Sequence, residues 1–539
     1  MQNDLSKNYD SYLNSKLVSI KEASNLLSDE FNRKISISNI SYLINYGKIQ
    51  SYTRDGKVLI NINELVEYYK SKIYEKRKRF EEKEGKDLNW HLSFDWVKES
   101  ERTKHVHRIH PYKGKFIPQL VEYFLDDHIN DLKEIVYFKR GDTILDPFAG
   151  SGTTLIQANE LGLNSIGLEI SEFNSLLTEV KFAVVDIMKL KYFVREISLK
   201  LHQFEKEHKI EQIQNIVDKE INQINNIYFK SPQFKIEFRE GRINECYIKE
   251  KEKIAKNKYR ELLKHEDFEF SLNLINNSFL RSWLAPSIYQ ELIYVSKNIQ
   301  AVSDEEVKKA LIIIMSRSIH SARATTHTDL DRLKVPVYEP YFCYKHFKIC
   351  KPVLSISRFF DRYSFDTIKR LLDYKRIKTE AYQCIITGDS RQINIFNEIK
   401  KQNPDFFTLI KSKKIDGIFT SPPYLGQLDY HDLHAYAYEF FGIGRHDDLE
   451  IGASSNGKGI KARLDYIDGI SEVLINVKKF LKDNAHIFIV ANDQFSLYPE
   501  IAEKAGLIIE KQFKRPVLNR TSRDKNPYSE TVFYMRIKE

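Results

Sequence analysis

Between residues 140 and 171 the chain reads RGDTILDPFAGSGTTLIQANELGLNSIGLEIS, and this stretch leaves few folds open. Thr143-Ile144-Leu145 is a short buried strand, Gly150 and Gly152 let the backbone approach a ligand, and Thr153 to Leu161 continues as a helix. After Gly162, Ser165 to Leu168 makes a second strand that ends on Glu169. Strand, glycine turn, helix and parallel return make a βαβ unit, so an α/β chain with a doubly wound sheet is expected.

The loop lacks the third glycine of a dinucleotide-binding turn and continues Thr153-Thr154, and a phosphate-loop lysine is absent. The string DPFAGSGTT resembles motif I of S-adenosylmethionine-dependent methyltransferases that act on exocyclic amino groups of nucleic acids. The resemblance implies a Rossmann-like methyltransferase sheet with S-adenosyl-L-methionine as cofactor. It implies that Asp146, Pro147, Phe148, Ala149, Gly150, Ser151, Gly152 and Thr153 line the cofactor and that Glu169 takes the ribose hydroxyls. HRIHPYKGKFIPQLVEYFL, residues 107–125, resembles motif X of the same enzymes, with Pro111, Lys115, Phe116 and Pro118 at matching positions. In QCIITGDSRQI a further strand leads to Gly388-Asp389, where the family keeps a polar residue near the adenine.

A second strand end carries DGIFTSPPY, residues 416–424. Asp416 to Thr420 reads as a buried strand, and Pro422 and Pro423 must stop it because proline donates no ladder hydrogen bond. A polyproline recognition site would need a proline-rich context that is missing here. Ser421-Pro422-Pro423-Tyr424 resembles motif IV of the amino-methyltransferases, which implies a catalytic role for these four residues. An exocyclic amine is a poor nucleophile because its lone pair is delocalised into the ring. Ser421 Oγ and the Pro422 carbonyl are natural acceptors for the amino hydrogens, and Tyr424 can stack on a flipped base. Cytosine C5 methylation is disfavoured because no Pro-Cys dipeptide supplies a nucleophile. Ser-Pro-Pro-Tyr resembles the cytosine-N4 enzymes, whereas adenine-N6 enzymes more often carry Asp or Asn at its first position. An RNA guanine-N2 methyltransferase shares the motif order, and a DNA-binding regulator on an inactive scaffold is the non-enzymatic alternative.

A chain of 539 residues needs more than one core. Residues 17–69 form a compact unit in which Ser19 caps a helix with Ala23, Leu26 and Leu27 on its apolar face. A second helix with Ile40, Leu43 and Ile44 ends at Gly47, and a hairpin turns at Asp55-Gly56. The order resembles the winged helix-turn-helix of the excisionase and MerR-like families, with a longer turn. That implies double-stranded DNA as partner, with Lys48, Arg54 and Lys57 near the wing; a protein-docking module has the same shape. The expected organisation is a winged unit over 1–75, a charged linker over 76–100, the cofactor half over 101–184, a mainly helical insertion over 185–380 and the catalytic half over 381–539.

Within the insertion, Arg317, Arg323, Lys334 and Lys345 are candidate DNA contacts, against the plainer reading of a solvated basic face. SSNGKGIKARLD, residues 454–465, reads as a mobile loop. Cys343, His346 and Cys350 in CYKHFKIC offer three possible metal ligands, but a zinc site needs a fourth, so buried thiols beside a surface histidine are expected and no metal. Four cysteines, no apolar run of membrane-spanning length and an N-terminus without a signal-peptide core lead to a cytoplasmic, membrane-free expectation. The net charge of +9 is compatible with a polyanionic partner. A cognate restriction endonuclease stands open as a protein partner.

Overall fold

The computed structural model describes residues 17–31, 35–45, 48–266, 268, 278–329, 333–518 and 526–538. The chain divides into two compact units: one of Met1–Arg102, Lys230–Asn244 and Lys514–Ser529, the other of Thr103–Phe229, Glu245–Phe513 and Glu530–Glu539.

In the first unit, β1 (Leu17–Ser19) leads into the helix Ile20–Glu30, whose end is capped by Ser19 Oγ accepting the Glu22 N–H at 3.2 Å. The helix Ile37–Asn45 follows, then β2 (Ser51–Arg54), β3 (Lys57–Asn61) and a long helix, Ile62–Glu84. The strands form an antiparallel sheet in the order β1-β3-β2. Asp55 and Gly56 have φ of 51° and 71°, the left-handed pair that a two-residue hairpin turn needs. Ala23, Leu27, Ile40, Leu43, Ile60 and Leu65 make the core, while Leu26 points outward. The expected Gly47 helix end lies outside the described residues.

The stretch expected as a linker is folded. It holds the second half of the helix Ile62–Glu84 and the turn Trp90–Ser93, with Phe80, Leu88, Leu92 and Phe94 buried. Its dense charge hid these apolar anchors, and the Asn89 N–H donates to the Lys514 carbonyl at 2.7 Å.

The second unit contains β4 (Thr143–Asp146), β5 (Asn164–Glu169), the hairpin β6 (Tyr341–Cys343) and β7 (Lys348–Cys350), β8 (Gln383–Thr387), β9 (Ile415–Thr420), β10 (Leu481–Ala491) and most of β11 (Leu507–Pro516) and of β12 (Ser529–Ile537). Apart from the hairpin, these form one seven-stranded sheet in the order β11-β12-β10-β9-β4-β5-β8. The run from β10 to β8 is parallel, and β12 lies antiparallel to β10. Alternate residues face opposite layers. Ile418, Ile487 and Ile489 pack in one cluster with Ile470 and Val477 of the helix Ile460–Lys478, whereas Phe419 and Phe488 meet Phe124.

From β4 the chain winds outward through β5 to β8, then returns to β9 on the other side of β4. The carboxyl ends of β4 and β9 therefore flank a topological switch point, where two loops part and a crevice opens. This is the expected doubly wound sheet, placing the two motifs side by side.

The insertion is mainly helical, with long helices at Ile187–Glu207, Ile210–Tyr228, Glu245–His265, Pro286–Gln300, Glu305–Ala322 and Ser357–Lys375. Part of it shares a core with the sheet: Leu190, Ile288, Leu311 and Phe360 lie in one cluster with Ile156, Phe173 and Leu177 of the sheet-flanking helices, whereas Tyr341, Cys343 and Cys350 of the hairpin form a cluster of their own. The loop expected over 454–465 is short, because the helix Ile460–Lys478 begins inside it. Among the described residues no helix is long and apolar enough to cross a membrane.

Candidate active site at the switch point

The end of β4 is built for close approach. Gly150 and Gly152 have φ of +52° and +72°, and a Cβ would sit 2.8 Å from Tyr112 Oη at the first and 2.5 Å from Thr178 Cγ2 at the second. Asp146 Oδ1 accepts the Phe148 N–H at 3.1 Å and the Thr420 hydroxyl at 2.6 Å, which ties the β4 loop to the end of β9. Burial holds the Asp146 carboxyl up at about 6, against the pull of its hydrogen bonds.

Glu169, at the tip of β5, accepts the Gly150 N–H at 2.7 Å on one oxygen, and the Ser171 N–H at 2.9 Å with Asn174 Nδ2 at 3.3 Å on the other. Burial nevertheless pushes its carboxyl up to about 7.

These groups surround a cavity of about 910 Å³, counting the space open to solvent at its mouth. Of the expected cofactor residues Lys115, Phe116, Asp146, Pro147, Phe148, Ala149, Gly150, Ser151, Thr153, Glu169 and Asp389 line it. Gly152 stands behind the wall as the N-cap of the helix Thr153–Glu160. Lys115 donates its ammonium to the His107 carbonyl, and burial lowers it to about 8. Asp389 is held by Arg391 Nε at 2.9 and 3.0 Å. Ser151 Oγ, Thr153 Oγ1 and Asn174 Oδ1 are buried and have no hydrogen-bond partner among the described residues. A glycine cradle, a buried carboxylate at a strand tip and unsatisfied polar atoms in one wall fit a polar, nucleoside-bearing cofactor.

Across the crevice, Ser421 and Pro423 line the same cavity from the end of β9. The Pro423 carbonyl accepts the Tyr466 hydroxyl at 2.9 Å, and that hydroxyl lies 3.1 Å from the Tyr498 hydroxyl. The turn is thus stiff by composition and pinned by packing. Pro422 is buried and does not line the cavity. Nor does Tyr424, whose hydroxyl donates to Glu530 Oε1 at 2.9 Å.

Tyr430, which the sequence offers either for the base pocket or for core packing, is in the cavity wall, and the wall residues Tyr112 and Glu450 carried no role in the sequence. Tyr112 covers Gly150 and stacks with Tyr430 at 6.4 Å between ring centroids. Glu450 accepts the N–H groups of His431 at 2.6 Å and Tyr430 at 3.2 Å, and burial raises its carboxyl to about 7. Tyr112 lies inside the HPYKGKF stretch and Tyr430 inside LDYHDL, so both had a local signal. Glu450 had none; only the fold brings it there.

The basic candidates divide. Lys48, Arg54 and Lys57 are exposed in the first unit, with Arg54 opposite Lys57 at the hairpin end. Lys334 and Lys345 are exposed in the second, Lys334 lying 3.5 Å from Asp329. Arg317 and Arg323 are corrected: both are buried. Arg317 Nη1 pairs with Asp366 at 2.5 Å and lies 4.1 Å over the Tyr363 ring, and Arg323 donates to the His320 carbonyl at 2.9 Å. Both arginines are committed to the interior at the end of the helix Glu305–Ala322, not offered to phosphate.

Sheet order, switch-point cavity, glycine cradle and buried strand-tip carboxylate define the class of α/β methyltransferases. The DNA methylase family matches residues 2–179. The chain is 48% identical over 528 residues to the Type II methyltransferase M.MjaII of Methanocaldococcus jannaschii, covering 97% of this chain and 98% of that protein. It is 22% identical over 352 residues to the Type II methyltransferase M.BsoBI of Geobacillus stearothermophilus, covering 64% and 54% of the two chains. It is 29% identical over 124 residues to the Type II methyltransferase M.MvaI of Kocuria varians, covering 22% and 25%. The chain belongs to the Type II methyltransferases of the DNA methylase family, and its cofactor is S-adenosyl-L-methionine.

Proposed function

We propose that the protein is a site-specific DNA methyltransferase that methylates the exocyclic N4 amine of cytosine, as the modification partner of a restriction endonuclease. The observation that carries this reading is the Ser421-Pro422-Pro423 turn at the end of β9, with Ser421 and Pro423 in the same cavity as Glu169 and the glycine loop. When bound, S-adenosyl-L-methionine supplies an electrophilic methyl group. The chain's own part is orientation: Glu169, Asp146 and Asp389 hold the cofactor side, and Ser421 Oγ, at the cavity wall, accepts an amino hydrogen of an extruded base. That turns the nitrogen lone pair out of conjugation and toward the methyl. The reaction is a direct displacement with no covalent enzyme intermediate.

Target binding belongs, in this reading, to the first unit. The helix Ile37–Asn45 enters the major groove, and the β2–β3 hairpin sets Arg54 and Lys57 against the phosphates, with Lys48 beside them. Lys334 and Lys345 add contacts from the insertion.

Incubation with unmethylated genomic DNA and labelled S-adenosylmethionine, followed by digestion to nucleosides, tests the chemistry. N4-methylcytosine is expected. N6-methyladenine would keep the mechanism and overturn the base assignment, and label appearing only on RNA would overturn the DNA reading.

A further inference from the structure

Away from the cavity, a second convergence of polar side chains stands in the insertion. β6 and β7 have three residues each, with Tyr341 opposite Cys350 and Cys343 opposite Lys348. So short a ribbon is not stable by itself in water. It carries Cys343, His346 and Cys350, and the segment that follows the helix Glu305–Ala322 brings His327 against them. One potential ligand atom from each of the four residues lies within 4.8 Å of the other three.

The spacing is that of a coordination shell. His346 Nδ1 is 3.6 Å from Cys343 Sγ and 3.4 Å from Cys350 Sγ. A tetrahedral zinc ion with bonds of about 2.3 Å to sulfur and about 2.05 Å to nitrogen has a nitrogen–sulfur edge of about 3.6 Å. His327 Nδ1 lies 2.7 Å from the Tyr341 hydroxyl, an oxygen that also accepts the His327 backbone N–H at 2.9 Å. An imidazole whose one nitrogen is tied to an oxygen presents the other to a metal, the usual outer support of a histidine ligand. The hairpin is in turn held by the insertion helices: Asn225 bonds both the N–H and the carbonyl of Ile349, at 2.8 and 3.0 Å, and Glu252 accepts the Phe342 N–H at 3.1 Å.

We propose that His327, Cys343, His346 and Cys350 bind one structural zinc ion. Two thiolates balance its charge, and four protein ligands leave no open position for a substrate, so the site is a clamp and not a second active centre. It ties the segment that bears Lys334 to the hairpin that bears Lys345. The occupation of the site does not depend on which base is methylated.

The full-length protein, purified under reducing conditions without a metal-affinity tag, is expected to hold one zinc ion per chain by elemental analysis. After zinc removal, Co²⁺ is expected to give tetrahedral ligand-field bands with thiolate charge transfer. His327→Ala and Cys350→Ala each abolish these bands, whereas Cys246→Ala, at an exposed cysteine outside the cluster, keeps them. Tyr341→Phe retains the ion with affinity lowered about tenfold, as expected for an outer-support residue. A reduced protein that binds S-adenosylmethionine but takes up neither Zn²⁺ nor Co²⁺ would overturn the proposal. So would a cobalt spectrum unchanged in Cys350→Ala, or a Cys343–Cys350 disulfide that re-forms in the presence of excess zinc.

Discussion

Two loops leave the sheet next to each other, from β4 and from β9, and they are made of opposite materials. The β4 loop uses glycines at positive φ, so backbone N–H groups and a buried carboxylate can close on a ligand. The β9 loop uses two prolines and a tyrosine clamp on a carbonyl, so the backbone has almost nowhere to go. A loop that wraps a cofactor needs room without side chains; one that orients a reacting amine needs fixed acceptors, because small misplacements there are costly in rate. The Asp146–Thr420 bond joins the two and keeps their spacing constant.

This contrast is sharpest at Ser421. Ser421→Ala is expected to lower turnover by about 100-fold or more, the scale of a lost positioning contact, with cofactor affinity within about twofold in equilibrium dialysis. Loss of cofactor binding in that variant would break the division between the loops. Glu169→Gln keeps the size of the side chain but removes its charge. It should weaken S-adenosylmethionine binding by about 10- to 100-fold, the range of a charge-assisted hydrogen bond at about 1.5–3 kcal/mol, with turnover at saturation nearly kept.

Gly152→Ala tests the cradle without touching the ligand. The new methyl meets Thr178 at a position with φ of +72°, so stability should fall by about 1–3 kcal/mol in urea melts. The same change at Gly457, where a Cβ meets nothing within 4 Å, isolates the backbone part of that cost.

pH separates binding from folding. Glu169 moves from 4.5 to about 7 on burial, so between these values the folded state holds more protons than the unfolded one. Stability of the cofactor-free protein should therefore fall as pH rises through that window. Cofactor affinity should run the other way, rising about tenfold from about pH 6 to pH 8 as the carboxylate forms, and Glu169→Gln should reduce both slopes, leaving the share that the raised Asp146 and Glu450 carboxyls carry.

The smallest effect is expected from the Tyr424 hydroxyl. Tyr424→Phe removes the bond to Glu530 and should cost about 1 kcal/mol of stability with turnover within about twofold. Tyr424→Ala also removes the ring, which stands outside the cavity wall, and it weakens base binding by about 1–3 kcal/mol only where the extruded base reaches beyond the wall to stack on it. Equal effects of the two changes on catalysis would show that the hydroxyl, and not the ring, is what the β9 loop uses.

Much of this was readable in the chain. Leu145 and Ile418 lie in buried strands, Gly150 and Gly152 take the backbone angles that their type permits, and the proline turn stops β9. Where reading failed, the reason was remoteness or solvation. Residues 76–100 look like a tether because charge outnumbers the few apolar anchors. Arg317 looks like a phosphate ligand until Asp366 and Tyr363, far along the chain, enclose it. His327 has no ligand spacing to CYKHFKIC, and Glu450 no motif at all.

The sequence by itself determined the local stereochemistry: which strands are buried, where the backbone must turn left-handed, and where it cannot extend a ladder. These properties belong to one residue and its neighbours, through allowed φ, missing N–H groups and apolar periodicity. Tertiary structure alone decided which strand ends meet at the switch point, which cations are dry and paired, and which distant side chains complete a cluster of four. Those depend on the positions of atoms tens to hundreds of residues apart, and a charge or a thiol carries no mark of its future surroundings until the chain has closed around it.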